Sequence, residues 1–377
     1  MENFNGHRIK IAQPWVTQLE IDYVEDAIKN GWGDNMYFYI EKLEKLFSSI
    51  HNLKYATSTS SCTGATHLAL EAMGIGEGDE VILPEITWAS CPGAVIYSGA
   101  KPIFVDVIEE TWCIDPEKIE DAITSKTKAI MPVHVYGNIC EMDEIMNIAK
   151  KYNLKVIEDA AEALGSKYKG KRVGSIGDCG VFSFHGTKTA SSGEGGMFIT
   201  DDEDLYEEFT ILHNQGRVKE EKKFFYPHRI GLKYKFSNLQ AAMACAQIER
   251  LDELVNKKKQ IFNWYQESFK DIQFISMNHQ QEYAENSYWM TTLVFDKSLD
   301  IDRDNLMSYL NDKGVDSRPF FYPLSSLPMF KPEPANKISY NLYNRGIYLP
   351  GAFHLSKKDI DYVSKCLIGY LKETKIL

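Results

Sequence analysis

The chain has 377 residues, of which 44% are hydrophobic and 25% are charged, and its formal net charge is −11 at pH 7. This length exceeds what one hydrophobic core usually covers, so two domains are expected. The negative charge argues against general nucleic-acid binding, which requires clustered cations, but it is compatible with one small phosphorylated ligand. The sequence has no apolar run long enough to span a membrane, and residues 1–14 are polar, unlike a signal peptide. A cytoplasmic protein is therefore expected.

The seven cysteines are scattered along the chain, and no two of them fall at CxxC spacing. A zinc site or a redox dithiol is therefore not predicted, and no metal is expected. Reduced thiols in a reducing compartment fit this pattern best.

Short apolar runs alternate with helical patterns between about residues 53 and 200. Residues 142–152 carry apolar side chains at helical spacing and predict a helix. Buried strands are predicted at residues 128–135, 155–158, 181–185 and 196–200. This alternation predicts right-handed βαβ units and a mostly parallel sheet, in which ligands collect at the carboxyl ends of the strands.

The pattern changes after residue 237. Residues 238–259 predict one long helix from their apolar stripe, residues 289–295 predict a strand, and a proline-rich stretch follows. A closing helix is predicted after Ser356, with Asp359 completing a capping box.

Together these patterns predict an α/β fold with two domains. The large domain is expected over residues 1–250, with a mostly parallel sheet flanked by helices. A smaller α+β domain is expected over residues 251–377, and a helix is expected to cross the boundary.

The first motif that could carry chemistry covers residues 57–69 (TSTSSCTGATHLA). It places small hydroxyl side chains and Gly64 directly before an apolar helical pattern. A loop at a helix N-terminus offers free N–H groups and the positive end of the helix dipole, which suit a phosphate. Taken alone, the segment is more typical of a Ser/Thr-rich helix cap without a ligand.

The second motif covers residues 156–165 (VIEDAAEALG). An apolar strand ends there in two adjacent carboxylates, Glu158 and Asp159, with Glu162 three residues further on. An acid at the carboxyl end of a strand can meet a ligand in the sheet crevice, for example a protonated heteroaromatic nitrogen. The alternative is that Asp159 caps a following helix.

The third motif covers residues 181–200 (VFSFHGTKTASSGEGGMFIT). It brings Ser183 and His185 to the end of a strand and places Lys188 in a loop of Gly, Ser and Thr, which allows a ligand to approach the backbone closely. Partial burial of a lysine makes its amine nucleophilic, as Schiff-base chemistry requires. The alternatives are a solvated surface charge for Lys188 and a structural role for His185.

The three motifs together supply what an enzyme that uses pyridoxal 5′-phosphate (PLP) needs. These needs are a phosphate site at a helix N-terminus, a carboxylate that keeps the pyridine nitrogen protonated, and a lysine that binds the aldehyde. PLP is therefore predicted as the cofactor, with Lys188 and Asp159 as the catalytic residues.

Six longer stretches extend this pattern over nearly the whole chain: GIGEGDEVILP (74–84), PVHVYGN (132–138), VIEDAAEALGS (156–166), FSFHGTKTASSGEGG (182–196), FSNLQAA (236–242) and GVDSRPFFYPL (314–324). In this order and at this spacing, the chain closely resembles the nucleotide-sugar aminotransferases of the DegT/StrS type, which are fold-type I PLP enzymes. The resemblance implies the same fold, the same cofactor and transfer of an amino group to a sugar.

The resemblance also implies roles for the residues that surround the cofactor ring. Lys188 would bind the cofactor and move the proton between substrate and cofactor, and Asp159 would pair with the pyridine nitrogen. Glu162 occupies the position that contacts the ring hydroxyl, and Trp88 matches the aromatic residue that stacks on the ring.

The phosphate would be held by Ser183 and by the backbone at Cys62 and Thr63. The chain departs from the family pattern here, because Ser61-Cys62-Thr63 stands where Asn-Gly-Thr is frequent. The geometry at the phosphate is therefore left open.

A second departure is that Lys233 and Lys235 stand where many members carry Asn and Arg in Gly-Tyr-Asn-Tyr-Arg. In the family this segment reaches the cofactor phosphate of the neighbouring subunit, so a homodimer with shared active sites is implied. A lysine can neutralise phosphate as a point charge. The alternative is that both lysines lie in an ordinary surface loop.

On the substrate side, His185 and Arg318 lie where family members meet the sugar. A histidine in this position is typical of enzymes that aminate C4, whereas C3 enzymes more often carry tyrosine. Tyr322 and His213 are weaker candidates, each with a structural alternative.

The expected function is transamination of a nucleotide-linked keto-6-deoxy sugar, at C4, with L-glutamate as the amino donor, in the synthesis of a surface polysaccharide. The alternatives are amination at C3, a smaller phosphorylated ketone as substrate, and a non-catalytic regulator with the same fold. The related sugar dehydratases replace the lysine with histidine, so Lys188 argues against that reaction.

Overall fold

The computed structural model describes residues 8–219 and 221–377. Residues 1–7 lie outside the described residues. They belong to the polar segment, residues 1–14, for which no signal peptide is expected. The strands are β1 (Tyr55–Thr59), β2 (Glu80–Pro84), β3 (Lys101–Val105), β4 (Thr127–Ile130), β5 (Lys155–Asp159), β6 (Lys167–Tyr168), β7 (Lys171–Arg172), β8 (Cys179–Ser183), β9 (Gly196–Thr200), β10 (Ile275–Met277), β11 (Ala284–Glu285), β12 (Thr292–Phe295), β13 (Arg318–Pro319) and β14 (Gly346–Tyr348). The α-helices are α1 (Gln18–Asn30), α2 (Phe38–His51), α3 (Cys62–Ala72), α4 (Ser90–Tyr97), α5 (Pro116–Ala122), α6 (Met142–Tyr152), α7 (Glu203–His213), α8 (Asn238–Glu249), α9 (Leu251–Phe269), α10 (Arg303–Asp312), α11 (Lys337–Arg345) and α12 (Lys357–Glu373).

The largest sheet has the strand order β1-β9-β8-β5-β4-β2-β3, and β9 alone runs against the other six strands. This confirms the predicted α/β fold with a mostly parallel sheet. Every residue of β2, β8 and β9 is buried. Since successive side chains of a strand point to opposite sides, both faces of the sheet are covered. In β2, Val81 and Leu83 pack into one hydrophobic core, whereas Ile82 packs into the other.

The predicted elements of this sheet are largely confirmed. The chain forms the strands expected near residues 155–158, 181–185 and 196–200 and the helix expected at 142–152. The strand predicted for residues 128–135 is too long, since β4 ends at Ile130. Pro132 has no N–H to donate to the ladder. Beyond it, the His134 N–H donates to the Asp159 carbonyl at 3.0 Å.

The prediction of one helix over residues 238–259 is wrong. Arg250 has φ −104° and ψ 14°, which ends α8 and starts α9. Its guanidinium donates to the Trp15 carbonyl (3.3 Å), the Thr17 hydroxyl (3.1 Å) and the Glu20 carboxylate (2.6 Å). The break therefore follows from contacts with the start of α1, which a local helical pattern does not contain.

A second sheet, in the order β10-β12-β14-β13, forms in the carboxyl-terminal part of the chain, and all of its pairs are antiparallel. Side chains of α9, α10 and α12 pack with it into a third core. The predicted capping box at the start of α12 is confirmed: the Ser356 N–H donates to the Asp359 carboxylate at 2.7 Å.

Across residues 8–219 and 221–377, none of the helices combines the length and the apolar character that crossing a membrane requires.

Replacement of Arg250 by alanine is expected to lower the free energy of unfolding by about 3 kcal/mol, because it leaves a buried carboxylate without its cation. Glu20 is 1% exposed. Urea denaturation followed by circular dichroism, at a fixed protein concentration, measures this change.

The matched control is Lys29→Ala, which breaks an exposed ion pair with Glu25 on α1. This variant is expected to leave the denaturation midpoint nearly unchanged, because exposed pairs contribute little. Equal effects of the two substitutions would contradict a structural role for Arg250.

Candidate active site

A cavity of about 350 Å³ lies at the carboxyl ends of the parallel strands. Such crevices are where open α/β sheets bind their ligands. Eight residues that were predicted from the sequence line it: Cys62, Thr63, Trp88, Asp159, Glu162, Ser183, His185 and Lys188.

One end of the cavity is formed by the start of α3. The Ser61 hydroxyl accepts the Gly64 N–H at 3.0 Å and caps the helix, while the first-turn N–H groups of Cys62 and Thr63 have no partner within the helix. A Cβ atom at Gly196 would lie 2.5 Å from the Cys62 nitrogen, so glycine is required where β9 passes this loop. The loop can therefore cap the helix through Ser61 and still offer the N–H groups of Cys62 and Thr63 to an anion.

Asp159 forms the floor of the cavity and is 5% exposed. Its carboxylate accepts the Ala161 N–H at 3.0 Å and the Cys91 thiol at 3.1 Å. Burial is the main cause that raises the pKa of the Cys91 thiol well above its usual value, and the negative charge of Asp159 adds to it. The thiol therefore stays protonated and can donate. No described α-helix begins directly after Asp159, so it does not act as a helix cap.

Lys188 is held between a carboxylate and an aromatic ring. Its Nζ lies 3.1 Å from Glu162 Oε1 and 4.0 Å from the centre of the Trp289 ring. Burial raises the pKa of Glu162, although the charge of Lys188 and the Tyr136 N–H (2.9 Å) act in the opposite direction. The amine therefore has a defined position, which a solvated surface lysine would lack.

His185 stands at the mouth of the cavity with a side chain that is 49% exposed. Its Nδ1 lies 3.0 Å from the Thr187 hydroxyl, and its Nε2 faces Glu194 at 3.9 Å. The imidazole is thus directed toward the pocket and not into the core.

The structure places two predicted lysines outside this cavity. Lys233 is exposed. Lys235 is half-buried beside the end of β1, where its backbone forms an isolated antiparallel β-bridge with Thr59. Burial, together with the charge of Lys233, lowers the pKa of Lys235. Neither side chain reaches the pocket of its own subunit.

Three other predicted residues also lie outside the cavity. Arg318 is exposed and lines a separate groove with Arg8, although its strand partner Tyr348 lines the pocket. Tyr322 is half-exposed and packs on Tyr343, with ring centres 4.2 Å apart. His213 is half-buried, and removal of its ring from water lowers its pKa to about 4.

The pocket also contains residues that sequence reasoning missed, among them Cys91, Trp289, Phe321, Tyr348 and Glu194. Trp289 donates its indole N–H to the Thr187 carbonyl at 2.8 Å, which ties it to the lysine loop. Trp289 is 102 residues from Thr187 in the sequence, so no local pattern indicates that it lies beside the lysine loop. Glu194 was visible within the third motif, where a charged residue stands among glycines.

Within the described residues, no group of three or more histidine, cysteine, aspartate or glutamate side chains is placed to hold a metal ion.

These parts define the class of protein. The N-terminus of α3 suits a phosphate, the buried Asp159 suits a ring nitrogen, and Ser183 and the amine of Lys188 line the same cavity. The residues present fit PLP, and fold and pocket together are those of a PLP-dependent enzyme.

The comparisons with known proteins agree. Residues 15–368 match the DegT/DnrJ/EryC1/StrS aminotransferase family, and the chain belongs to this family. It is 39% identical over 360 residues to GDP-perosamine synthase of Escherichia coli O157:H7, which covers 95% of this chain and 97% of that protein. It is 38% identical over 363 residues to GDP-perosamine synthase of Caulobacter vibrioides, with 96% and 97% covered.

A solved structure supports the same assignment. A Streptococcus pneumoniae protein named as a candidate sugar aminotransferase, in its PMP form, superposes with a TM-score of 0.90 at 28% identity, covering 98% of this chain and all of that one. The predicted activity is confirmed: the chain is a PLP-dependent aminotransferase.

Borohydride reduction of the PLP-loaded protein is expected to fix the cofactor permanently on Lys188, because this amine is the one that the pocket presents to an aldehyde. Peptide mass spectrometry locates the adduct. The Lys188→Ala variant should carry none.

Lys258 serves as the internal control, since burial lowers its pKa to about 7 and leaves it a second candidate nucleophile. It lies on α9 and donates to the Gly351 carbonyl at 2.7 Å, away from the pocket. An adduct on Lys258, or one that persists in Lys188→Ala, would exclude Lys188 as the attachment point.

Proposed function

We propose that the enzyme transfers the amino group of L-glutamate to C4 of a nucleotide-linked keto-6-deoxy sugar, forming a product of the GDP-perosamine type for a surface polysaccharide. The observation that carries this proposal is similarity along nearly the full length of both proteins to enzymes named GDP-perosamine synthase. A histidine at this position, which the family resemblance associates with amination at C4, lines the pocket as His185 and supports this part of the proposal.

The reaction has two halves that share one set of residues. In the first, L-glutamate leaves as 2-oxoglutarate, and in the second the keto carbon of the sugar becomes an amine. When bound, PLP supplies an electron sink for the negative charge that develops at the substrate carbon. The Lys188 amine takes the proton from the α-carbon of glutamate and moves a proton again at the sugar half-reaction, as a general acid and base.

The other residues bind and orient the cofactor. Asp159 keeps the ring nitrogen protonated, and its burial among hydrogen bonds makes this charge effective. Glu162 would contact the ring hydroxyl, and the exposed Trp88 would stack on the ring face. Ser183 and the backbone at Cys62 and Thr63 would hold the phosphate.

A homodimer with shared sites belongs to this proposal. Among the described side chains that line the pocket, those able to carry a positive charge are Lys188 and His185. The diphosphate of a nucleotide sugar calls for more cations. Residues 217–235 contain seven Lys and Arg against two Glu, and the segment that includes Lys233 and Lys235 would supply them to the neighbouring subunit.

The division into a large domain (residues 1–250) and a small domain (residues 251–377) is part of the same proposal. The pocket takes Lys188 from the first part and Trp289 and Tyr348 from the second, so it lies where the two parts meet. A cytoplasmic location is proposed as well, since nucleotide sugars are made there.

The test of the proposed function is amino transfer from L-glutamate to a panel of nucleotide-linked keto-6-deoxy sugars. The panel varies the nucleotide (GDP, TDP or UDP) and the keto position (C3 or C4). A GDP-linked 4-keto sugar is expected to be aminated with one 2-oxoglutarate formed per amino sugar, as measured by mass spectrometry and a coupled assay.

Other outcomes would replace the proposal. If only the 3-keto sugars react, the position of amination is C3 and not C4. Reaction of a small phosphorylated ketone but of no panel member would exclude the nucleotide sugar. Bound cofactor with no consumption of glutamate would indicate a regulator.

Lys233→Ala is expected to speed release of the cofactor several-fold, because it removes a charge that reaches the phosphate across the dimer. The release rate is measured from the absorbance that remains with the protein during dilution. Lys358→Ala, an exposed lysine at the start of α12, is the control. If both variants release the cofactor at the wild-type rate, Lys233 is an ordinary surface residue.

A further inference from the structure

The turn between Ser192 and β9 presents a single long side chain to the pocket. Its sequence is Gly193-Glu194-Gly195-Gly196, with φ of +86° at Gly193 and +138° at Gly195. A Cβ atom at Gly195 would lie 2.5 Å from the Phe236 ring. Larger residues on either side of Glu194 would therefore be strained, and Glu194 is the residue that this turn displays.

The backbone of the turn is firmly held. The Glu194 carbonyl accepts the Ser192 hydroxyl at 2.7 Å and the Gln240 side-chain amide at 3.3 Å. The Phe184 N–H donates to the Gly195 carbonyl at 2.9 Å. The position from which the Glu194 side chain projects is thus fixed by Phe184, which follows β8, by Ser192 and by Gln240 on α8.

The carboxylate of Glu194 differs from the other two in the pocket. Asp159 and Glu162 are 5% exposed, and each accepts two hydrogen bonds. The Glu194 side chain is 63% exposed, and its Oε1 lies 3.9 Å from Nε2 of His185, a distance too long for a hydrogen bond. It is a free acceptor at the mouth of the site.

The opposing atom of His185 is a donor. The Thr187 N–H donates to Nδ1 at 3.4 Å, and the Thr187 hydroxyl lies 3.0 Å from the same atom. Because a backbone N–H can only donate, Nδ1 is the acceptor, and the proton of the neutral ring is on Nε2. This donor therefore faces the acceptor Oε1 of Glu194, with 3.9 Å between the nitrogen and the oxygen.

We infer that Glu194 and His185 together bind one hydroxyl of the sugar, and that Glu194 is a specificity-determining residue for the sugar half-reaction. A hydroxyl both donates and accepts, so it can give its proton to Glu194 and accept from His185, with its oxygen about 2.8 Å from each. This inference rests on the proposed sugar substrate.

The pair does not suit the amino donor in the same way. The γ-carboxylate of L-glutamate accepts but does not donate, and the negative charge of Glu194 repels it. One pocket must take both substrates in turn. Glu194 therefore favours the sugar over the amino acid at this point of the wall.

The experiment measures the two half-reactions separately in Glu194→Ala, by single-turnover absorbance changes of the bound cofactor. One is started with L-glutamate and the other with the nucleotide sugar that the wild-type enzyme accepts best in the panel. Loss of a hydrogen bond to a charged group should reduce kcat/KM of the sugar half-reaction about tenfold to hundredfold more than that of the glutamate half-reaction. Calorimetric binding of the same sugar to the aminated cofactor form of Lys188→Ala should weaken by a similar factor when Glu194→Ala is added.

The matched control is Glu77→Ala, because Glu77 is also an exposed glutamate between two glycines. It precedes the amino end of β2, at the edge of the sheet opposite the pocket. Both of its half-reactions should proceed at the wild-type rates.

Each outcome separates the inference from the proposed function. A wild-type enzyme that reacts with no panel member overturns the proposed function and this inference with it. Wild-type turnover with an unaltered sugar half-reaction in Glu194→Ala overturns the inference alone. Equal slowing of both half-reactions would assign Glu194 a structural role and would also overturn it.

Discussion

The parallel pairing of β5 with β8 is the constraint on which the rest of the site depends. It sets Asp159 opposite Val181, so the carboxylate at the end of one strand lies beside the lysine loop that follows the other. β9 then returns along β8 and brings Gly196 against the start of α3. A slip of one residue would turn Asp159 to the other face of the sheet, because neighbouring side chains of a strand point in opposite directions.

Burial gives the groups at this edge their chemistry. Ion pairs and hydrogen bonds are stronger in a low-dielectric interior, and unpaired charges there are costly. Asp159 and Glu162 meet this requirement with two hydrogen bonds each, whereas Lys188 is held between Glu162 and the Trp289 ring. Because Trp289 is also bonded to the Thr187 carbonyl, the carboxyl-terminal part of the chain helps to define the position of the lysine.

The local features of the molecule could be predicted from the sequence. Strand and helix patterns, the Ser356 cap and the three motifs depend on residues that are neighbours in the chain, so periodicity and spacing contain them. The same holds for the cluster of Cys62, Ser183 and Lys188 in one cavity, since the parallel strands of one sheet bring their carboxyl ends to one edge.

The sequence by itself therefore determined the fold class, the cofactor and the lysine and aspartate at the centre of the pocket. Only the tertiary structure decided that the long helix breaks at Arg250, that Trp289 lies over Lys188, and that Arg318 faces a groove outside the cavity. It also decided that Glu194 faces His185 across the mouth of the site. The physical reason is that these features depend on packing between residues distant in the chain, which local patterns of hydrophobicity and capping do not encode.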